Sequence, residues 1–272
     1  MSKDKEIEYL TKYYNEYDED GRLLKQSSSV EFLTTMKYIN KYLKNGMNIL
    51  EIGAGTGRYS LALAEEGCKV DSVELIEHNI DVFKSKIKPN HTITITQGDA
   101  CCLDFIEDNT YDITLLLGPM YHLFDEADKI NALSEAIRVT KKDGIIFTAY
   151  ISCNILIYNL FSHNDIEEYK SKGLINDEFK PHPIPEYLFS FHNKEDIDRL
   201  MEQFNVSRLH FVGTDILHQY MKNTIDAMDE HTFKDYLKFH FQMCEKADIV
   251  GMSNHLLDIF QKNVKINESL TI

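Results

Sequence analysis

The chain has 272 residues, 43% of them hydrophobic, and a formal net charge of −15. That is enough apolar material for a full core, and the acidic balance argues against nucleic acid, which is bound through basic footprints. Five cysteines without a CxxC pair, no apolar signal core and no run long enough to cross a bilayer predict a reduced, soluble, cytoplasmic protein with no membrane partner.

Residues 5–18 read as a helix with Tyr9, Tyr13 and Tyr17 on one face. Ser28 followed by Glu31 predicts a capping box for a second helix, striped by Phe32, Met36, Ile39 and Leu43 and ended by Asn45-Gly46. From Met47 strands and helices alternate: strand 47–52, helix 57–66, strand 69–74, helix 77–87, strand 92–97, strand 111–117, helix 126–141, strand 145–150. The strict alternation of TITITQ at 92–97 predicts a sheet edge, and the unbroken apolar YDITLLL at 111–117 a central strand. Such a repeat implies a mostly parallel sheet with helices on both faces.

The repeat stops at 151–192, a segment rich in aromatic residues and histidine, with six acids against three bases over 151–193. It reads as an insertion over the rim of the sheet, contributing Tyr158, Phe161, Tyr187, Phe189 and Phe191 to an aromatic pocket. His163, His182 and His192 lack metal-ligand spacing, so no metal site is expected. Helix 194–204 and strand 206–212 resume the fold, residues 215–247 read as helical, and the last strand is 254–262. The expected organisation is one domain over 1–272: a helical cover (1–46), a cofactor-binding core (47–150), an insertion (151–192), and a C-terminal part (193–272) that holds a second, helical insertion at 215–250.

The stretch NILEIGAGTGRYSLALA at 48–64 is strand, glycine turn, helix. Glycines at 53, 55 and 57 let the backbone approach a ligand, and a helix then begins with its unpaired N–H groups pointing there. Ligands of open α/β sheets bind beyond the carboxyl ends of the strands. Three acids stand at such ends, Glu51, Glu74 and Asp99. The ligand is a nicotinamide dinucleotide or S-adenosylmethionine. The glycines fall as GxGxG rather than GxGxxG, and Glu51 would repel a diphosphate but attract an ammonium and a sulfonium. Both facts favour the second.

Through EIGAGTG (51–57), VELIE (73–77), QGDA (97–100) and YDITLLLGPMYHL (111–123), the chain resembles the class I S-adenosylmethionine-dependent methyltransferases. The resemblance covers 47–150 well and the last strand more loosely. It implies a Rossmann-like α/β fold with a seven-stranded, mostly parallel sheet, and two insertions forming an acceptor lid. It also implies that Glu51 and the Gly53, Ala54, Gly55, Gly57 turn hold the methionine part of S-adenosylmethionine, and that Glu74 takes both ribose hydroxyls. Leu75 would pack on the adenine, Asp99 accept from its amine beside Ala100, and Leu117 and Gly118 offer carbonyls to the ammonium.

The acceptor is expected beyond the fourth and fifth strands, near Met120, Tyr121, His122 and Tyr150. His122 is the candidate base or orienting group, because histidine titrates near neutrality, with Tyr121 beside it as the second candidate catalytic residue. Tyr13, Tyr14 and Arg22 would close over the cofactor, as in small-molecule members of the family. LGPM at 117–120 departs from the DPPY-like tetrapeptides of enzymes that methylate nucleobases or protein glutamine. Cys101 and Cys102 read as wall residues near the adenine. The expected activity is methyl transfer to a small molecule at N, O or S, by in-line displacement that leaves S-adenosyl-L-homocysteine. RNA or protein methylation, and a non-catalytic cofactor sensor, are the alternatives.

Overall fold

The computed structural model describes residues 3–17, 25–182 and 184–263. Its centre is a sheet of β1 (Asn48–Ile52), β2 (Lys69–Glu74), β3 (Thr92–Gln97), β4 (Tyr111–Leu116), β5 (Thr140–Ser152), β6 (Phe191–His192), β7 (Val206–Gly213) and β8 (His255–Lys262). The order is β3-β2-β1-β4-β5-β8-β7. The first five strands pair in parallel, and β8 lies antiparallel between β5 and β7. The two-residue β6 adds an eighth strand and pairs with the end of β5. β1 and β4 have neighbours on both sides and are buried on both faces, which is why their sequences do not alternate. β3 is the edge, and its threonines face solvent.

Ten helices are described: α1 (Lys3–Glu16), α2 (Gln26–Tyr42), α3 (Arg58–Glu65), α4 (Glu77–Lys86), α5 (Glu126–Val139), α6 (Cys153–His163), α7 (Ile166–Ser171), α8 (Lys194–Met201), α9 (His218–Asp226) and α10 (Glu230–Met243). One face of the sheet packs Leu50, Leu116, Ile146 and Phe260 against α5 and α8. The other packs Ile49, Ile113, Phe147 and Ile259 against α2, α3 and the end of α10. None of the described helices is long and apolar enough to cross a membrane.

Two local expectations change and one sharpens. The second helix opens at Gln26, so Ser28 lies inside its first turn and caps nothing. Its first-turn N–H at Ser27 is met instead by the Asp226 carboxylate at 2.8 Å, while the Gln26 amide donates to the carbonyls of Ile225 and Met228. A partner some 200 residues away replaces the local cap. Residues 215–247, expected as helical, hold two helices, and the Asp229 carboxylate caps the second by accepting from the Thr232 N–H. β5 begins at Thr140, five residues early, because Thr140 pairs with Tyr111 across a register shift in β4. A capping box does occur at Asn193 and Asp196, at the start of α8. Asn193→Ala should cost about 1 kcal/mol in urea unfolding.

Candidate functional site

β1 ends in a turn that only glycine fits. Gly53 has φ +73°, and a Cβ there would sit 2.6 Å from the Pro119 ring. Gly57, at φ +84°, starts α3 so close to α4 that a Cβ would fall 2.1 Å from the Phe83 ring. Gly57 therefore holds α3 against α4 and does not line the pocket. The pocket runs along the carboxyl ends of β1 to β4 and takes in Glu51, Gly53, Ala54, Gly55, Glu74, Leu75, Asp99, Ala100, Leu117 and Gly118.

Glu51 is 2% exposed. Its Oε2 accepts from the Ser60 N–H at 2.9 Å and from the Ser60 hydroxyl. Burial outweighs those bonds, and with the Glu74 charge nearby the carboxyl is pushed up to about 8. Glu74 is also buried, and burial raises its pKa. It accepts the N–H groups of Gly55 (2.7 Å) and Ile76 (3.0 Å) and the Asn79 amide (3.2 Å). Of a carboxylate's roughly four lone-pair positions that leaves about one. The Asn79 amide oxygen, buried beside it at the pocket wall, has no partner.

Asp99 is less enclosed. Burial opposes its ionisation, but the Lys3 ammonium at 2.7 Å and the Cys101 N–H hold its carboxyl below the usual range. Lys3 belongs to α1, which lies along the pocket with Glu6, Ile7, Leu10 and Tyr14 in its wall. At the other end the Tyr14 hydroxyl meets His122 Nε2 at 2.9 Å. His122 Nδ1 lies 2.8 Å from the Leu188 carbonyl, which only accepts, so Nδ1 carries the hydrogen and Nε2 accepts from Tyr14. Burial lowers His122 to about 4. It is neutral at physiological pH, an acceptor rather than a strong base.

The Tyr121 hydroxyl lines the pocket and donates to the Leu117 carbonyl at 3.0 Å, the group expected to meet an ammonium. Tyr13 stands outside the lining, stacked on Tyr17. Met120 and Tyr150 are corrections: both are fully buried in the core, because the turn after β4 and the end of β5 point them towards α5 and α8. Arg22 lies outside the described residues. The two insertions, expected as the acceptor lid, contribute nothing to the lining. The first braces His122 from behind through Leu188 and the Phe189 ring, 5.2 Å away. The second packs on α2. Tyr158 and Phe161 are exposed.

Sequence reasoning missed Lys3, Glu6, Glu31, Arg58 and Asn79 in the wall. Asn79 had a signal: five residues beyond the strand-end acid, it falls in the first turn of α4 and faces back to Glu74. Glu31 had none, since helix 2 meets the pocket only through tertiary packing.

These residues fit S-adenosylmethionine. A ribose diol would find the open position on Glu74 and the unpartnered Asn79 oxygen. A cationic methionine part would find Glu51, a buried carboxyl bonded to Ser60, and would draw it into its ionised form. Leu75, Ile76 and Ala100 offer an apolar slot beside Asp99.

Residues 49–144 match the family model of a methyltransferase domain. Over 109 residues (40% of this chain, 42% of the relative) the chain is 29% identical to a cypemycin N-terminal methyltransferase from Streptomyces. Over 115 residues (41% and 46%) it is 33% identical to a demethylmenaquinone methyltransferase from Staphylococcus saprophyticus. The matched part thus spans less than half the length of these relatives. Among solved structures, an S-adenosylmethionine-dependent methyltransferase from Thermotoga maritima, described as a possible histamine N-methyltransferase, superposes with a TM-score of 0.57 at 19% identity. That superposition covers 95% of this chain and all of the other. Residues 49–144 thus carry a methyltransferase domain, on a mostly parallel, Rossmann-like sheet similar to that of class I S-adenosylmethionine-dependent methyltransferases.

Proposed function

We propose that the protein transfers a methyl group from S-adenosylmethionine to a small-molecule acceptor. The observation that carries this reading is α1 lying along the pocket, pinned by Lys3 on Asp99 and Tyr14 on His122, so that a helix walls one side of it. The net charge of −15 adds to the case against RNA. The cofactor supplies the activated methyl group, whose leaving partner is a neutral thioether. Glu51 and the turn from Gly53 to Thr56 hold the methionine part, Glu74 and Asn79 the ribose, and Leu75, Ala100 and Asp99 the adenine. His122 Nε2, aligned by Leu188, takes a hydrogen bond from the acceptor in place of Tyr14. Positioning then does most of the work, for which effective molarities of about 10⁵–10⁸ M are the guide.

Incubation with tritiated-methyl S-adenosylmethionine and fractionated cell extract tests this. Label is expected in the small-molecule filtrate. Label confined to RNA or protein would refute a small acceptor.

Glu51 gives a second test. Its carboxyl, raised from near 4.5 to about 8, favours the protonated form in the ligand-free fold, so stability falls as pH climbs between those values. Bringing a cation beside it reverses the preference and expels a proton. Calorimetric titration with S-adenosylmethionine at about pH 7, in buffers of different ionisation enthalpy, should show proton release that fades above about pH 9. Glu51→Gln should abolish both effects, and release unchanged in that variant would remove Glu51 from this role.

A further inference from the structure

Lys129 stands on the buried stripe of α5, in line with Ala132, Leu133 and Ala136. An apolar side chain there would fill the same space without the cost of burying an amine. Burial pulls the Lys129 pKa down, against the attraction of Asp196, Glu126 and Asp125. Its bonding partner is neutral: the Nζ donates to the buried hydroxyl of Ser190 at 2.9 Å.

Ser190 belongs to a strap that runs from the 3-10 turn Pro185–Tyr187 to β6. Its N–H donates to the carbonyl of Tyr121, the neighbour of His122, at 2.8 Å. Two residues earlier, the Leu188 carbonyl takes the His122 Nδ1 hydrogen. Leu188 has φ +68°, a left-handed backbone that a residue with a Cβ enters only at a cost. Two residues later, His192 is buried with both ring nitrogens unpartnered, against Tyr150, whose hydroxyl is unpartnered as well. The strap is thus seated at a cost on both sides of Ser190. Among the described residues, the bond from Lys129 to Ser190 is the one hydrogen bond that a side chain of the strap makes. Neither residue lines the pocket, so both reach it only through the strap.

Resting on the methyl-transfer reading, we infer that Lys129 and Ser190 are positioning residues for His122: they clamp the strained strap so that the Leu188 carbonyl holds the Nδ1 hydrogen and leaves the Nε2 lone pair to the pocket. With the clamp removed, Leu188 relaxes out of its left-handed backbone and its carbonyl leaves Nδ1. The imidazole then turns, or carries its hydrogen on Nε2, where it no longer accepts from a methyl acceptor. The Phe189 ring, 5.2 Å from His122, withdraws with the same strap.

The test uses the intact, isotope-labelled chain and the double variant Lys129→Met with Ser190→Ala. Removing both partners of a buried bond together strands neither, so the urea midpoint should stay at or above that of the unsubstituted protein. In the unsubstituted protein the His122 Nδ1 hydrogen, identified by its loss in His122→Gln, should give a proton resonance protected from exchange with water. The double variant should lose that resonance. It should also transfer label from S-adenosylmethionine to the small-molecule fraction of cell extract about 10- to 100-fold more slowly, with S-adenosylhomocysteine affinity unchanged. Lys129→Met alone should do the same to a smaller degree. A protected Nδ1 resonance in the folded double variant overturns the clamp, and so does an unchanged transfer rate. Midpoints far below the unsubstituted protein in both variants would make the contact structural only and overturn the positioning role. Loss of the resonance as expected, with no label transferred even by the unsubstituted protein, would uphold the clamp and refute methyl transfer instead.

Discussion

Glu74→Ala should weaken S-adenosylhomocysteine binding by about 10- to 100-fold, the loss of one or two hydrogen bonds to a charged group. The effect has two sources. The ribose loses its acceptor at the end of β2, and the Gly55 N–H, Ile76 N–H and Asn79 amide lose theirs. Gly55 belongs to the glycine turn, so the same substitution loosens the loop that shapes the methionine end. The variant should also unfold earlier, by roughly 1–3 kcal/mol for stranded buried donors. Glu77→Ala, three residues on and exposed, is the control and should change neither quantity. Calorimetric titration with urea unfolding reads both, and an unchanged affinity in Glu74→Ala would remove the ribose role.

The second large effect is on folding. Gly57→Ala places a methyl 2.1–2.5 Å from three carbons of the Phe83 ring, and Phe83 is completely buried. The left-handed φ of +84° adds strain for any residue with a Cβ. Overpacking of this kind costs about 1–3 kcal/mol and the backbone about 1–2 more. Gly46 separates the two contributions. It has φ +80° and open space around it, so Gly46→Ala carries the backbone cost alone. Urea midpoints should place Gly57→Ala well below Gly46→Ala. Equal midpoints would mean that α3 and α4 are not held at this distance.

Gly57 also shows how far the sequence could be read. A glycine after a strand and before a helix was legible as a turn that only glycine suits. Whether it served a ligand or a neighbouring helix was not, because that depends on Phe83, which lies 26 positions away. The parallel core was legible throughout, since each strand declares its place by its own burial: β3 alternates at the edge and β4 is unbroken at the centre. The strand-end acids were legible for the same reason, as chain order and the sheet rule together put them in one crevice.

What the sequence hid depends on tertiary partners. The start of α2 is set by Asp226, and the state of His122 by the Leu188 carbonyl. Aromatic density in 151–192 suggested a pocket wall, but composition does not say which way a ring points. Tyr150 was taken for a pocket residue because it ends the strand expected over 145–150. Period-two alternation turned it to the core instead, beside His192. The walls beyond the cofactor site come from α1 and α2, whose sequences carry no motif.

The proposed S-adenosylmethionine site is the crevice from Glu51 to Asp99. Its most direct test is calorimetric titration of the intact chain with S-adenosylhomocysteine, with NADH as the comparison ligand. Saturable binding of one S-adenosylhomocysteine per chain is expected, competed by S-adenosylmethionine and not by NADH. Saturable NADH binding in the same crevice, with no heat from S-adenosylhomocysteine, would contradict it.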